Sequence, residues 1–200
     1  KTTYRVHTVP EQLPNITIEG TGVAPSDAGV YTWHQYGWLM RVNSDNDLIY
    51  YRDMRCADIA GCNLNFQPHE TADGLFLTYA IQIGKCARGG ASEDFFRIMD
   101  QNYVEFDTIT LMANSTANHQ HGEGYLDFHE IRVLGRDNYI VMGYDRIITQ
   151  LPRTFASVDD DLTAYVKGTF LQQQKNGKVV WEVASSDYPI FFEAASENCK

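Results

Sequence analysis

The sequence lacks the features that mark a membrane span or a nucleic-acid partner. No run of roughly 18 apolar residues exists, so the sequence predicts no membrane insertion. Basic residues are few: 16 Lys and Arg stand against 26 Asp and Glu, which gives a formal net charge of -10. Such a surface repels a polyanion, and nucleic acid is therefore excluded as a partner. A small anion could still bind in a local group of Arg and His, because exposed charges are largely screened beyond roughly 10 Å.

Cysteine is also scarce, and its spacing excludes some chemistry. The chain has four cysteines and no C-x-x-C pair, which argues against a zinc site or thiol redox activity. Cys56 and Cys62 bracket a short loop, whereas Cys86 and Cys199 lie elsewhere. The even number favours disulfides in an oxidising compartment, with Cys56 and Cys62 as the predicted pair. Two buried free thiols are the alternative.

Helical periodicity is nearly absent as well. The apolar runs alternate or are short and solid, and turn residues interrupt them every eight to twelve positions, roughly the spacing of short strands in all-β proteins. The sequence therefore predicts an all-β chain, with helical turns only at 159–161 and 191–197. The predicted strands are 29–36, 38–43, 48–52, 75–83, 95–99, 104–111, 126–134, 139–144, 165–173 and 178–184.

Hairpins of two forms alternate along the chain. The first form is an apolar strand, a polar turn and a second apolar strand, seen in "WLMRVNSDNDLIYY", "FRIMDQNYVEFDTI" and "TFLQQQKNGKVVWEV". Between these lie two hairpins of a second form, "FQPHETADGLFLTYA" and "IRVLGRDNYIVMGYD". One hairpin of each form makes four antiparallel strands, which is the size of a propeller blade.

This repeat predicts an incomplete β-propeller of antiparallel four-stranded blades. The chain would be a single β domain over 1–200, with a lead-in at 1–28, blade repeats at 29–188 and a tail at 189–200. It would hold about two and a half to three blades, fewer than the four to eight of closed propellers. Because an open arc exposes a sheet edge, we expect further blades of a longer chain, or a second copy, to cover it. A small β-sandwich with long loops is the alternative fold.

Three of the six histidines fall in one segment, "HQHGEGYLDFHEIRVLGRDNYIVMGYD". His119 and His121 are spaced i, i+2, which places both side chains on one side of an extended backbone. Together with His129 or Asp127 they could form a three-ligand metal site, and this reading predicts a metal-dependent hydrolase. Loop histidines at such a spacing are more often solvated than metal-bound, so the main interpretation has no metal and no cofactor.

Alignment of the two second-form hairpins at their turns singles out His129. Asp73 then matches Asp137, and Asn65 and His129 each lie eight positions before these aspartates. His129 would occupy the inner end of a blade strand, facing the central channel. By the same alignment His69 faces its own hairpin and is structural.

The neighbours of His129 favour acid/base chemistry. Asp127 or Glu130 could hold one ring nitrogen in a fixed tautomer and leave the other free to give or take a proton. Strand alternation places Asp127 on the same side as His129 and Glu130 on the opposite side. A buried histidine that donates to a backbone carbonyl is the structural alternative.

The segment "YLDFHEIRVLGRDNYIVMGYD" resembles the bacterial arylsulfate sulfotransferase family, whose propeller carries a D-x-H-[DE]-[FI] motif followed by a leucine, a turn and an apolar strand ending in Tyr-Asp. The matching positions are Asp127, His129, Glu130, Ile131, Leu134, Asp137, Asn138, Tyr144 and Asp145. First-form hairpins similar to those of the family lie on both sides, and the resemblance covers residues 13–188.

The resemblance implies transfer of a sulfuryl group from a phenolic sulfate ester to a phenol acceptor, without a nucleotide donor or other cofactor, in the periplasm or outside a bacterial cell. It assigns His129 to sulfuryl binding or proton transfer, with Asp127 orienting it. The family's further histidine, its arginine and its nucleophilic histidine follow a "DYxHxNS"-like segment with no counterpart here, and the turn at 135–138 lacks the family's Pro-Asn-Gly. We therefore expect the 200-residue chain alone to be inactive and a longer parent to be the enzyme.

A non-catalytic propeller or sandwich is the remaining alternative. It would bind a sugar or a peptide, and the 25 aromatic residues (12 Tyr, 10 Phe and 3 Trp) would provide stacking surfaces.

Overall fold

Antiparallel sheets make up most of the described chain. The computed structural model describes residues 9–14, 31–35, 37–43, 45, 47–54, 63–81, 94–112, 125–150, 163–188 and 190. The chain divides into two compact units, Lys1–Cys56 and Ala57–Lys200. The prediction of an all-β chain with antiparallel four-stranded sheets is confirmed, and none of the sheets formed by the described residues closes on itself.

The first unit contains a three-stranded sheet, here called sheet A. Its strands are β1 (Tyr31–Gln35), β2 (Trp38–Val42) and β3 (Leu48–Asp53), in the order β1-β2-β3. Every residue of the central strand β2 is buried, as a near-continuous apolar run predicts.

The second unit contains two four-stranded meanders. Sheet B has the order β4-β5-β6-β7, and its strands are β4 (Asn63–Thr71), β5 (Gly74–Ile81), β6 (Phe95–Met99) and β7 (Glu105–Ile109). In sheet C, neighbouring strands are again consecutive in the chain: β8 (Tyr125–Gly135), β9 (Asn138–Gln150), β10 (Thr163–Lys175) and β11 (Lys178–Ala184). A 3-10 turn, Ser185–Asp187, follows β11.

Sheets B and C pack on each other through one apolar core. Sheet B contributes Phe76, Ala80, Phe96, Ile98 and Ile109, and sheet C contributes Leu126, Ile131, Val133, Tyr139 and Val141. Burial of each large side chain in this core contributes about 1.5 to 3 kcal/mol to folding before conformational entropy is subtracted. This core fixes the strands that carry the candidate site.

The three first-form hairpins share one irregularity. In each, the second strand carries one extra residue near the turn, which forms a β-bulge. Arg41 pairs with Tyr50 and Val42 with Leu48, so Ile49 is extra in sheet A. The corresponding extra residues are Phe106 in sheet B and Val180 in sheet C. The hairpin repeat read from the sequence is therefore a repeat of structure.

Two of these hairpins also have the same turn. Asn43 Oδ1 accepts hydrogen bonds from the backbone N–H groups of Asp45 and Asp47. Asp100 Oδ1 accepts from Asn102 and Val104 in the same way. The Val104 N–H bond is the main cause that lowers the pKa of the Asp100 carboxyl below its ordinary value. The third hairpin replaces this turn with Asn176-Gly177, both at positive φ, as a two-residue type I′ turn requires.

Some predictions need correction or lie outside the described residues. Strand β4 is absent from the predicted strands, because Pro68 interrupts its pattern; β4 lies at the edge of sheet B, where proline is tolerated. The two predicted helical turns and all four cysteines lie outside the described residues.

Candidate functional site

A large bulge at the start of β8 forms the candidate site. Leu126 pairs with Gly143 and Ile131 with Val141, so residues 127–130 stand opposite the single residue Met142. A regular strand would place Asp127 and His129 on the same face with similar exposure. The bulge instead buries Asp127, which is 1% exposed, and leaves the His129 side chain 67% exposed.

The buried carboxylate of Asp127 organises the bulge. Its Oδ1 accepts hydrogen bonds from the His129 backbone N–H at 2.7 Å and from His129 Nδ1 at 2.9 Å. The Tyr144 hydroxyl, on β9, is also hydrogen-bonded to Asp127. Burial, and then this hydrogen bond and the carboxylate charge, raise the pKa of Tyr144 to about 12. A carboxylate with three donors holds the chain around it in one geometry.

The imidazole of His129 is oriented on two sides. Because an ionised carboxylate only accepts hydrogen bonds, Nδ1 carries the proton and the neutral ring presents a lone pair at Nε2. The ring also stacks on Phe128, with centroids 4.1 Å apart. Nε2 forms no hydrogen bond to any residue in the described part of the chain. The neutral ring can take a proton at Nε2, and the resulting imidazolium can give up that proton or donate a hydrogen bond to an anion there.

Sheet B supports the bulge from the other side of the core. Asn65 Nδ2 donates to the carbonyl oxygens of Phe128 at 3.2 Å and His129 at 2.8 Å. Asn65 itself lies in a smaller bulge of β4, between the pairs Leu64 with Ala80 and Gln67 with Thr78. Its φ of +55° is one that asparagine tolerates better than most residues. The two positions that the hairpin alignment equates are thus in direct contact.

The structure places the other predicted residues as follows. Glu130 is half exposed and pairs with Arg132 at 3.1 Å. His69 is buried, and its Nε2 lies 2.9 Å from Thr78 Oγ1, which confirms a structural role. His119 and His121 lie outside the described residues. Within the described residues, no group of three or more His, Cys, Asp or Glu side chains could hold a metal ion.

Tyr144 is the site residue that sequence reasoning missed. It appears in the sequence only as the tyrosine that ends an apolar strand. Its contact with Asp127 depends on the register of β8 and β9, in which Tyr125 pairs with Tyr144. That register shifts twice, between Gly135 and Val133 and again between Ile131 and Leu126, and no local pattern marks either shift.

Comparison with known proteins identifies no relative. No family model matches the chain, and neither the curated proteins nor the solved structures contain a match. The described part of the chain also contains no helix with the length and apolar character that a membrane span requires.

Proposed function

We propose that the sheets are blades of a β-propeller and that the Asp127–His129 pair serves sulfuryl transfer between phenols in such a ring. The observation that carries the proposal is the exposed imidazole of His129, whose Nδ1 is held by a buried carboxylate. The resemblance to arylsulfate sulfotransferases supplies the substrate class: a phenolic sulfate ester and a phenol acceptor.

Equivalent faces of sheets B and C support the propeller. The pair Phe96 and Ile109 lies on the face of sheet B that packs on sheet C. When the first-form hairpins of sheets B and C are aligned at their β-bulges, this pair corresponds to Leu171 and Val183 of sheet C. These two residues are also cross-strand partners. Leu171 is 38% exposed, and nearby Trp181 is 45% exposed. A further sheet packed there would repeat the B-to-C interface, as successive blades of a ring do.

The pair fits two tasks in sulfuryl transfer. When a nucleophile attacks the sulfur of an aryl sulfate, the S–O bond to the phenol breaks and the electron pair leaves as phenoxide. A protonated His129 could donate its Nε2 proton to that phenoxide or a hydrogen bond to a sulfuryl oxygen. Asp127 stabilises the imidazolium in either task. The same resemblance assigns the nucleophile to another histidine, supplied by the part of the ring outside these sheets.

An activity assay tests the proposal. A polypeptide that supplies the remaining blades should release nitrophenol from 4-nitrophenyl sulfate when a phenol acceptor is present. His129→Ala should lower kcat by about a hundredfold or more, which is the usual contribution of a positioned acid or base. Glu130→Gln is the matched control and should have little effect, because Glu130 is half exposed and pairs with Arg132. Release of nitrophenol at the same rate by His129→Ala would contradict the proposed role.

One observation favours a non-catalytic alternative. Asn65, the equivalent of His129, uses its side chain only to bridge to the backbone of the next sheet. His129 could bridge in the same way to a further blade of a sugar-binding or peptide-binding propeller. His129→Asn separates the two functions, because asparagine would keep the bridge and lose the acid/base group.

A further inference from the structure

The bulge that carries His129 is held differently from a regular strand. Residues 127–130 stand opposite the single residue Met142, so they lie outside the regular ladder between β8 and β9. The His129 side chain is 67% exposed, so packing covers little of the ring. A catalytic side chain must nevertheless be kept close to its productive geometry. Because backbone N–H and C=O groups inside a protein are normally paired, other contacts must hold this backbone.

Two hydrogen bonds hold the peptide group between Phe128 and His129 at both ends. Its N–H, which belongs to His129, donates to Asp127 Oδ1 at 2.7 Å. Its carbonyl oxygen, which belongs to Phe128, accepts from Asn65 Nδ2 at 3.2 Å. Because a peptide group is planar, two such bonds at opposite ends fix the orientation of the whole plane.

Asn65 also holds the next peptide group. The same Nδ2 atom donates to the His129 carbonyl oxygen at 2.8 Å. The two peptide planes that flank the His129 Cα are therefore both constrained, and with them the direction of the Cα–Cβ bond. The contacts of the ring with Asp127 and Phe128 then determine the remaining side-chain rotations.

The backbone conformation of Asn65 favours a specific role. Asn65 lies in the bulge of β4 at a φ of +55°, where residues other than glycine are uncommon. Backbone conformations of this kind are concentrated at functional sites, where the surrounding structure compensates for the strain. Asparagine is among the residues that tolerate this φ best, and its amide nitrogen offers two donors, one for each of the two carbonyls.

We propose that Asn65 is a positioning residue for His129: from sheet B it fixes the backbone of the bulge in sheet C and so sets the direction in which the imidazole presents Nε2. The functional meaning of this inference rests on the proposed role of His129 in sulfuryl transfer, although the geometry does not depend on it. The candidate site is then built from two neighbouring sheets, with the acid/base group on one and part of its support on the other. Such support matters because a misplacement of about 1 Å can lower the rate of an enzyme about a hundredfold.

The test uses the 200-residue chain and two variants of Asn65 that tolerate a positive φ. Asn65→Gly removes the side chain, and Asn65→Asp keeps its size but replaces the donor with a group that only accepts. Long-range proton–nitrogen NMR correlations, recorded at a pH where the ring is neutral, report which ring nitrogen of His129 carries the proton. The wild type should show a single form with the proton on Nδ1. Both variants should show a mixture of the two tautomers, because the ring no longer stays aligned with Asp127.

His69→Gln is the control on the same strand. His69 is buried beside Thr78, so this variant changes the packing of β4 but leaves both hydrogen bonds of Asn65 in place. It should keep the single tautomer. A single form protonated at Nδ1 in both Asn65 variants would overturn the proposal. An equal mixture in His69→Gln would also overturn it, because any loss of stability would then release the ring.

A titration with phenyl sulfate separates this inference from the proposed function. Phenyl sulfate should shift the backbone amides of the bulge in the wild type, and Asn65→Gly should bind it about tenfold more weakly. If the wild type does not bind phenyl sulfate but the tautomer still depends on Asn65, the proposed sulfuryl transfer fails and the positioning role stands. If the wild type and both Asn65 variants bind phenyl sulfate equally well, Asn65 is only a structural bridge.

Discussion

The two bulges that face each other across the core, at Asn65 in β4 and at Asp127–His129 in β8, occupy equivalent positions and use them differently. In β4 the polar side chain is committed to the backbone of the neighbouring sheet. In β8 the bulge is longer, and its buried carboxylate holds an exposed imidazole. The same repeat position can therefore supply either a structural bridge or an oriented ionisable group.

His69 and His129 show the same contrast between a structural side chain and an oriented ionisable one. His69 is buried beside Thr78, and burial and then the charge of Arg132 lower its pKa to about 4. His129 lies outside the core, paired with a carboxylate. A histidine that stays neutral throughout the physiological range cannot exchange protons there, so of these two histidines His129 is the one that fits acid/base chemistry.

The largest expected loss of stability comes from removing the carboxylate of Asp127, which organises the longer bulge. Asp127→Ala removes a buried carboxylate that accepts from the His129 N–H, His129 Nδ1 and the Tyr144 hydroxyl. The free energy of unfolding should fall by about 3 to 4 kcal/mol in urea titrations. Glu130→Gln, three positions further along β8 at a half-exposed side chain, should change it by less than about 0.5 kcal/mol. A similar small loss for both variants would show that Asp127 does not organise the bulge.

The buried histidine predicts a specific pH dependence. Because the pKa of His69 is lowered from 6.5 to about 4, the folded state favours the neutral ring. Its contribution to stability is present above pH 6.5 and is lost as the pH falls towards 4, by about 3 kcal/mol in total. The measurement is urea unfolding at several pH values for the wild type and His69→Gln. The difference between the two proteins should change across this window, and a constant difference would contradict the prediction.

The next smaller effect tests the shorter bulge. Asn65→Ala loses two hydrogen bonds to the β8 backbone and places a Cβ residue without a polar group at a φ of +55°. We expect a loss of about 2 kcal/mol in the free energy of unfolding. Asn65→Gly loses the same hydrogen bonds but accepts the positive φ, so it should recover part of the loss. If glycine were worse than alanine, backbone strain would not be a factor at this bulge.

The sequence predicted the repeat well because short-range signals determine it. Alternating apolar residues and turn residues indicated the strands, and the aligned turns brought Asn65 and His129 to equivalent positions. The same-side rule also placed Asp127 near His129, and the two side chains are in contact. These features depend on residues within one hairpin.

What the sequence did not predict depends on contacts between hairpins. Gln172 and Gln174 look like residues of a solvent-facing strand, yet both are buried because their amides satisfy the backbone at 110–112. The length of the β8 bulge is hidden for the same reason, since no local pattern marks where the pairing with β9 resumes. Polar residues that serve a distant backbone cannot be distinguished by periodicity from residues that face water.

The smallest expected change in stability is the sharpest test of the comparison. His129→Asn gives the longer bulge the residue that the shorter bulge carries. Because the imidazole is 67% exposed, the free energy of unfolding should change by less than about 0.5 kcal/mol. If His129 is an acid/base or sulfuryl-binding residue, phenyl sulfate should shift the backbone amides of the bulge in an NMR titration of the wild type. The His129→Asn variant should lose this shift. If the His129→Asn variant binds phenyl sulfate as well as the wild type does, the two bulges have the same structural role. His129 would then not be the residue that serves the proposed sulfuryl transfer.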